Sequence, residues 1–89
     1  MSSEIVRLPL PSGDEVTVNL VINSDGSFIV KPVSGNINNI HHHYYKDSQT
    51  GESTWLVRDR EGYNEKAYVF RNGGWRERTL TSQEKRYLQ

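Results

Sequence analysis

The chain contains no cysteine. Disulfides, thiolate metal sites and cysteine nucleophiles are thereby excluded, and a reducing compartment suits it: the cytoplasm, or a host cell's cytoplasm if the source is viral. Long apolar runs are missing too. The start, Met1-Ser2-Ser3-Glu4, has no basic segment leading into an apolar one. Neither a signal peptide nor a membrane span is expected. Net charge is absent, with 11 Lys+Arg against 11 Asp+Glu. Self-repulsion therefore does not hold the chain open, and a pI near 6.8 lies far below that of a dedicated nucleic-acid domain. Catalytic signatures are lacking: no Gly-x-Ser-x-Gly, no P-loop, no dinucleotide-binding glycine pattern and no His-Glu-x-x-His. Neither enzymatic activity nor a cofactor is expected.

Apolar residues are scarce but placed with a period. Leu, Ile, Val and Phe number 21 of 89, just above the disorder-prone range. One small domain over residues 1–89 with a thin core is expected. Val16, Val18, Leu20 and Ile22 alternate with Thr17 and Asn19, as in a half-buried strand. Asn23-Ser24-Asp25-Gly26 then supplies a hairpin turn, and Phe28 and Val30 return to the same core. Val6, Leu8 and Leu10 share a face of an earlier strand, which Pro9 and Pro11 place at a sheet edge because proline cannot donate to a ladder.

Residues 34–39 (Ser-Gly-Asn-Ile-Asn-Asn) read as a loop between two strand groups. Beyond it, strands are predicted near 40–47, 53–59, 66–72 and 75–80. Turns are predicted at Asp47–Glu52, Glu61-Gly62 and Asn72-Gly73, with Gly74 in a bulge. Thr81-Ser82-Gln83-Glu84 is a capping-box pattern for a short terminal helix, with Tyr87 and Leu88 packing on the sheet. The expected fold is all-β: six or seven antiparallel strands in a small sandwich or partly open barrel, with a C-terminal helical turn.

The run Tyr44-Tyr45-Lys46-Asp47-Ser48-Gln49-Thr50-Gly51-Glu52-Ser53-Thr54-Trp55 resembles the second hairpin of a WW domain, whose Tyr and Trp form a groove for proline-rich peptides. The likeness covers this one hairpin. No tryptophan stands about 20 residues upstream, and Leu56-Val57 follow Trp55 where the family has proline. Val16 to Gly35 is similar to the strand–turn–strand of a TonB C-terminal domain, a generic pattern that carries no function here.

His41 and His43 would share a strand face, the spacing two imidazoles need for one ion. Asp47 or Glu52 would have to complete the site, so the pair is expected to be exposed polar residues and no metal site is assigned. Charge is uneven along the chain: residues 1–45 sum to 2 − 4 = −2 and residues 71–89 to 5 − 2 = +3. Aromatic and arginine side chains concentrate in the second half. Tyr44, Tyr45, Arg58, Tyr68, Arg71, Trp75, Arg76 and Arg78 are the expected binding face, within residues 42–78, although Arg76 and Arg78 lie on one strand face, opposite Trp75; Arg, Tyr and Trp dominate protein–protein hot spots. Trp55 and Trp75 are expected on neighbouring strands, with Trp55 in the core and Trp75 exposed. The function expected is a protein-binding module, in the manner of a virus-encoded inhibitor or a small subunit of a larger assembly. Single-stranded nucleic-acid binding by the same face and a WW-like peptide-binding hairpin are the alternatives.

Overall fold

The computed structural model describes residues 2–35, 37, 40–59 and 64–88. The expected turn at Glu61-Gly62 and part of the 34–39 loop lie outside them.

Seven strands form two antiparallel sheets. The first holds β1 (Ser2–Pro9), β2 (Glu15–Ile22) and β3 (Phe28–Ser34), in that order. The second holds β4 (Ile40–Lys46), β5 (Ser53–Asp59), β6 (Glu65–Arg71) and β7 (Gly74–Arg78), also in chain order. Among the described residues there is one helix, α1 (Ser82–Arg86), which follows β7. Each sheet is a meander, so every strand pairs with its sequence neighbour and loops stay short. The open sandwich, with no closed barrel, is the form taken.

Alternation builds the interface between the sheets. Leu8, Val16, Val18 and Leu20 from the first sheet meet Tyr44, Trp55, Val57 and Tyr68 from the second, with Ile37 between. Val6, Phe28 and Val30 pack at the margins, as their spacing predicts. The second sheet carries a further cluster on its other face. There Leu56 and Ala67 meet Leu80 and Leu88 of the C-terminal segment, with Tyr45 alongside. Three layers result, and β5 is buried on both faces from Thr54 to Val57.

The helix is set by its cap. The Thr81 hydroxyl accepts from the Glu84 N–H at 3.1 Å, and the Glu84 carboxylate accepts from the Thr81 N–H at 2.9 Å, which closes the capping box. One turn would not stand alone; Leu88, 2% exposed, anchors it.

Two details differ from expectation. Gly74 pairs in register with Arg71 and lies in no bulge, because Asn72 and Gly73 both take positive φ and make a two-residue turn matched to the strand twist. The bulge falls instead between Thr17 and Val18 of β2 against β3. Trp55 and Trp75 are not on neighbouring strands, since β6 lies between β5 and β7.

Candidate functional site

The register sorts the eight predicted binding residues onto two faces. Side chains of paired residues share a face, and alternate residues reverse it. Tyr44 pairs with Trp55, Trp55 with Tyr68, and Phe70 with Trp75. Tyr44, Tyr68 and Trp75 therefore face the first sheet. Tyr45 pairs with Thr54, Arg58 with Glu65, Arg71 with Gly74, and Arg78 with Ala67. Tyr45, Arg58, Arg71, Arg76 and Arg78 consequently lie on the opposite, outer face. The expected aromatic and arginine-rich face is divided: Tyr45 stays with the arginines, while Tyr44, Tyr68 and Trp75 are separated from them by the thickness of the sheet.

Most of those arginines are also engaged. Arg58 Nε and Nη2 donate to Glu65 Oε2 at 3.0 and 2.9 Å. Arg71 pairs with Glu52 through Nε and Nη2, and the guanidinium holds the Glu52 carboxyl below its usual range. Arg78 makes a bidentate pair with Glu84 at 2.6 and 2.8 Å, and the Tyr45 hydroxyl donates to the same carboxylate at 2.6 Å. Arg78 above all, with help from the Thr81 backbone and Tyr45, pulls Glu84 down to about 2 against the cost of its burial. Glu84, 4% exposed, is thus a structural anion that clamps α1 to the sheet. Arg76 is exposed and has no ion pair among the described residues.

The WW-like hairpin forms, with Asp47 Oδ1 accepting from the Gln49 and Thr50 N–H groups. Its Tyr44 and Trp55, however, are 6% and 0% exposed. The pair that would line a peptide groove is interior. Of the histidines, His43 stacks on Tyr87 with ring centroids 4.5 Å apart and planes 8° apart, so it is not the free polar residue expected. His42 lies against Trp55 at 5.4 Å. Burial lowers the proton affinity of both. Among the described residues no three His, Asp or Glu side chains converge as a metal site requires.

What the structure assembles instead is a cleft where β1 approaches β6 and β7. The Leu10 N–H donates to the Asp14 carbonyl at 2.9 Å. In an antiparallel ladder the bonded pairs alternate, so Arg7 and Pro9 direct their carbonyls away from β2, along the open edge of the sheet. Trp55 Nε1 donates to Pro9 O at 2.9 Å and Trp75 Nε1 to Arg7 O at 3.2 Å. Two indoles from one sheet thereby bind successive free carbonyls of the other. Proline suits this edge because its missing N–H is not needed there.

Trp55 is enclosed; Trp75 is half-buried and divides the cleft. On one side lies a hollow of about 450 Å³ lined by Pro9, Leu10, Pro11, Tyr68, Trp75 and Glu77, among others. On the other lies one of about 360 Å³ bordered by Glu4, Val6, Tyr44, Ser53, Phe70 and Trp75, with Arg7 at its rim. Phe70 is 43% exposed and meets Trp75 edge-on, centroids 5.1 Å apart.

No protein family, curated protein or solved structure matches this chain.

Trp75 is the predicted residue that the cleft retains at its surface, and Tyr44 and Tyr68 form parts of its floor. Phe70 and Glu4 are the residues that sequence reading passed over. A signal for Phe70 was present: it follows Tyr68 by two on a strand and stands across the Asn72-Gly73 turn from Trp75, which pairs the two rings at the sheet's end.

Proposed function

We propose that this protein is a non-catalytic protein-binding module that recognises its partner through the β1/β7 cleft rather than through the outer arginine face. One observation carries the reading: Trp75 is fixed by its bond to the Arg7 carbonyl yet stays half-exposed beside an exposed Phe70, between two open hollows. Rigid aromatic anchors lose little entropy on binding, which is why they make hot spots. The acidic groups around the cleft, Glu4, Asp14, Glu15 and Glu77, are exposed to water. A site for proton transfer would instead bury and tune such groups. Of the arginines that would serve a nucleic acid, Arg58, Arg71 and Arg78 are held by Glu65, Glu52 and Glu84 on the far face.

The test is capture of partners from lysate by the full chain, with and without nuclease, comparing wild type with Phe70→Asp and with Arg76→Ala. Capture that survives nuclease, is lost in Phe70→Asp and persists in Arg76→Ala is the expected result. Nuclease-sensitive capture with a steep log–log salt dependence, or capture that only Arg76→Ala abolishes, would overturn it.

A further inference from the structure

The smaller hollow has an unusual lining for so polar a protein. Tyr44 forms its floor and Trp75 and Phe70 its walls. The Tyr44 ring centre lies 6.4 Å from that of Trp75 at 75°, and Phe70 lies 5.1 Å from Trp75 at 70°. The rings thus make a corner and not a pair of parallel plates. Trp75 cannot swing out without losing its bond to Arg7 O, and Tyr44 is held in the core.

Glu4 stands at the rim. By the alternation of β1 it is on the same side as Val6 and Leu8, facing the cleft. Among the described residues it is the acidic side chain with neither a hydrogen bond nor an ion pair, whereas Glu15, Glu52, Glu65, Glu77 and Glu84 all have basic partners. Burial raises the proton affinity of the Tyr44 phenol, a hydrogen bond with Ser53 opposes this, and the Glu4 charge adds to the rise. The cation among the lining residues, Arg7, has its guanidinium 3.8 Å from Glu15 and largely in solvent; its carbonyl fixes Trp75.

We infer that this hollow is an aromatic cage for a quaternary ammonium group, and that its occupant is a trimethylated lysine side chain of the protein partner. The inference rests on the protein-binding reading of the same cleft. Ring faces attract a cation through their quadrupoles, most strongly when the cation sheds water easily. A trimethylammonium head does so, whereas a primary ammonium is strongly hydrated. A rounded head also fits a corner of mutually steep rings; a flat guanidinium stacks better on a single face. Glu4 supplies the opposite charge, and a volume of about 360 Å³ leaves room for the alkyl stem beside Val6.

The experiment titrates the full chain and follows the Trp75 indole N–H signal by NMR. The probes are a short peptide carrying trimethyl-lysine, the same peptide with unmodified lysine, choline, and the neutral choline isostere 3,3-dimethylbutanol. The trimethyl-lysine peptide should bind at least about tenfold more tightly than the lysine peptide and more tightly than choline, while the isostere gives no saturable shift. Phe70→Leu, which keeps the apolar volume, and Glu4→Gln should each weaken that binding about tenfold or more, with melting temperature unchanged. Binding of the isostere as tight as that of choline would make the hollow an ordinary apolar pocket and overturn the cage. Choline binding more tightly than the peptide would overturn the protein-borne occupant, and no saturable shift with any cation would overturn both. Capture from lysate separates this from the broader reading. Partner capture lost in Phe70→Asp but unaffected by Glu4→Gln and by excess choline removes the cage and leaves the module. Capture unaffected by Phe70→Asp removes the module's cleft as well.

Discussion

The two sheets handle burial differently. The three-stranded sheet has one covered face. Val16, Val18 and Leu20 are fully buried, while Ile5, Ile29 and Val33 on the strands around them are 61%, 44% and 61% exposed. The four-stranded sheet is covered on both sides, by the first sheet and by the C-terminal segment, so that Thr54, Trp55, Leu56 and Val57 are buried in succession. The same chain therefore writes one strand as an alternation and another as a continuous run. The first kind tells the reader which residues point inward; the second conceals it.

Substitutions at the covered centre should have the largest effects. Trp55→Ala removes a fully buried ring and the bond to Pro9 O, and is expected to cost about 3–5 kcal/mol. Val18→Asp, an unpaired carboxylate in the same layer, should unfold the domain. Chemical denaturation measures both, and an unchanged midpoint for Val18→Asp would mean that the β2 register is wrong. Leu56→Ala, on the second sheet's outer face, should cost about 2–4 kcal/mol. Ile29→Thr, on the first sheet's outer face, should stay within about 0.5 kcal/mol. Equal losses at Leu56 and Ile29 would erase the distinction between the sheets.

The ion cluster sharpens the contrast at an intermediate scale. Glu84→Gln removes the charge and one of the two oxygens that Arg78 binds, while its amide oxygen can still close the capping box, and should cost about 2 kcal/mol. The expected signature is loosened protection of Leu88 in hydrogen exchange while the first sheet is unaffected.

Acid should act along the same line. A carboxyl held at about 2 in the fold and at 4.5 when unfolded binds its proton more readily in the unfolded chain. Its stabilising contribution is complete above 4.5 and is lost as pH falls towards 2. His42 and His43, both lowered from 6.5 by burial, act with the same sign in a higher window, so stability begins to fall below 6.5. Melting temperature against pH should decline in two stages, with Glu84→Gln reducing the lower one, to which Glu52 also contributes. A flat profile between 7 and 5 would contradict the placement of the histidines.

The smallest effects belong to the histidines of the outer face, His41 exposed and His43 half-buried. His41→Gln should be neutral within about 0.5 kcal/mol. His43→Gln should cost about 0.5–1 kcal/mol through the lost stack on Tyr87. Thermal melts of the two single variants make the comparison, and a larger loss at His41 would contradict the stabilising stack of His43 on Tyr87.

Much of the fold was legible because turns and periods are local. The Asn72-Gly73 turn, the capping box at Thr81 and the alternation through β2 are each decided by a few adjacent residues. The site was less so. Trp75 could be picked out, but its partner on β1 is a backbone carbonyl, which any residue supplies, so nothing in the identity of Arg7 announced the contact. The arginines misled for a related reason. Their composition suggested one surface with the aromatics, although strand phase already set Arg76 and Arg78 opposite Trp75, and the carboxylates that hold Arg58, Arg71 and Arg78 come from a turn, a neighbouring strand and the helix.

The indole bonds to β1 also set an order of events in folding. Trp55 is 46 residues from its carbonyl and Trp75 is 68 from its own. Every strand pairing, by contrast, joins sequence neighbours. Local hairpins form in about 1–10 μs, and contacts between distant parts of the chain close later. The N-terminal meander is consequently expected to pass through an interval in which its β1 edge is complete but unsealed, when a second chain could add a strand there. The two tryptophans end that interval. Trp75→Ala should therefore raise the yield of aggregate during refolding more than it lowers equilibrium stability. Stopped-flow refolding provides the check: indole burial lagging behind the circular-dichroism signal of the strands is the expected record, and a single shared phase would remove the interval altogether.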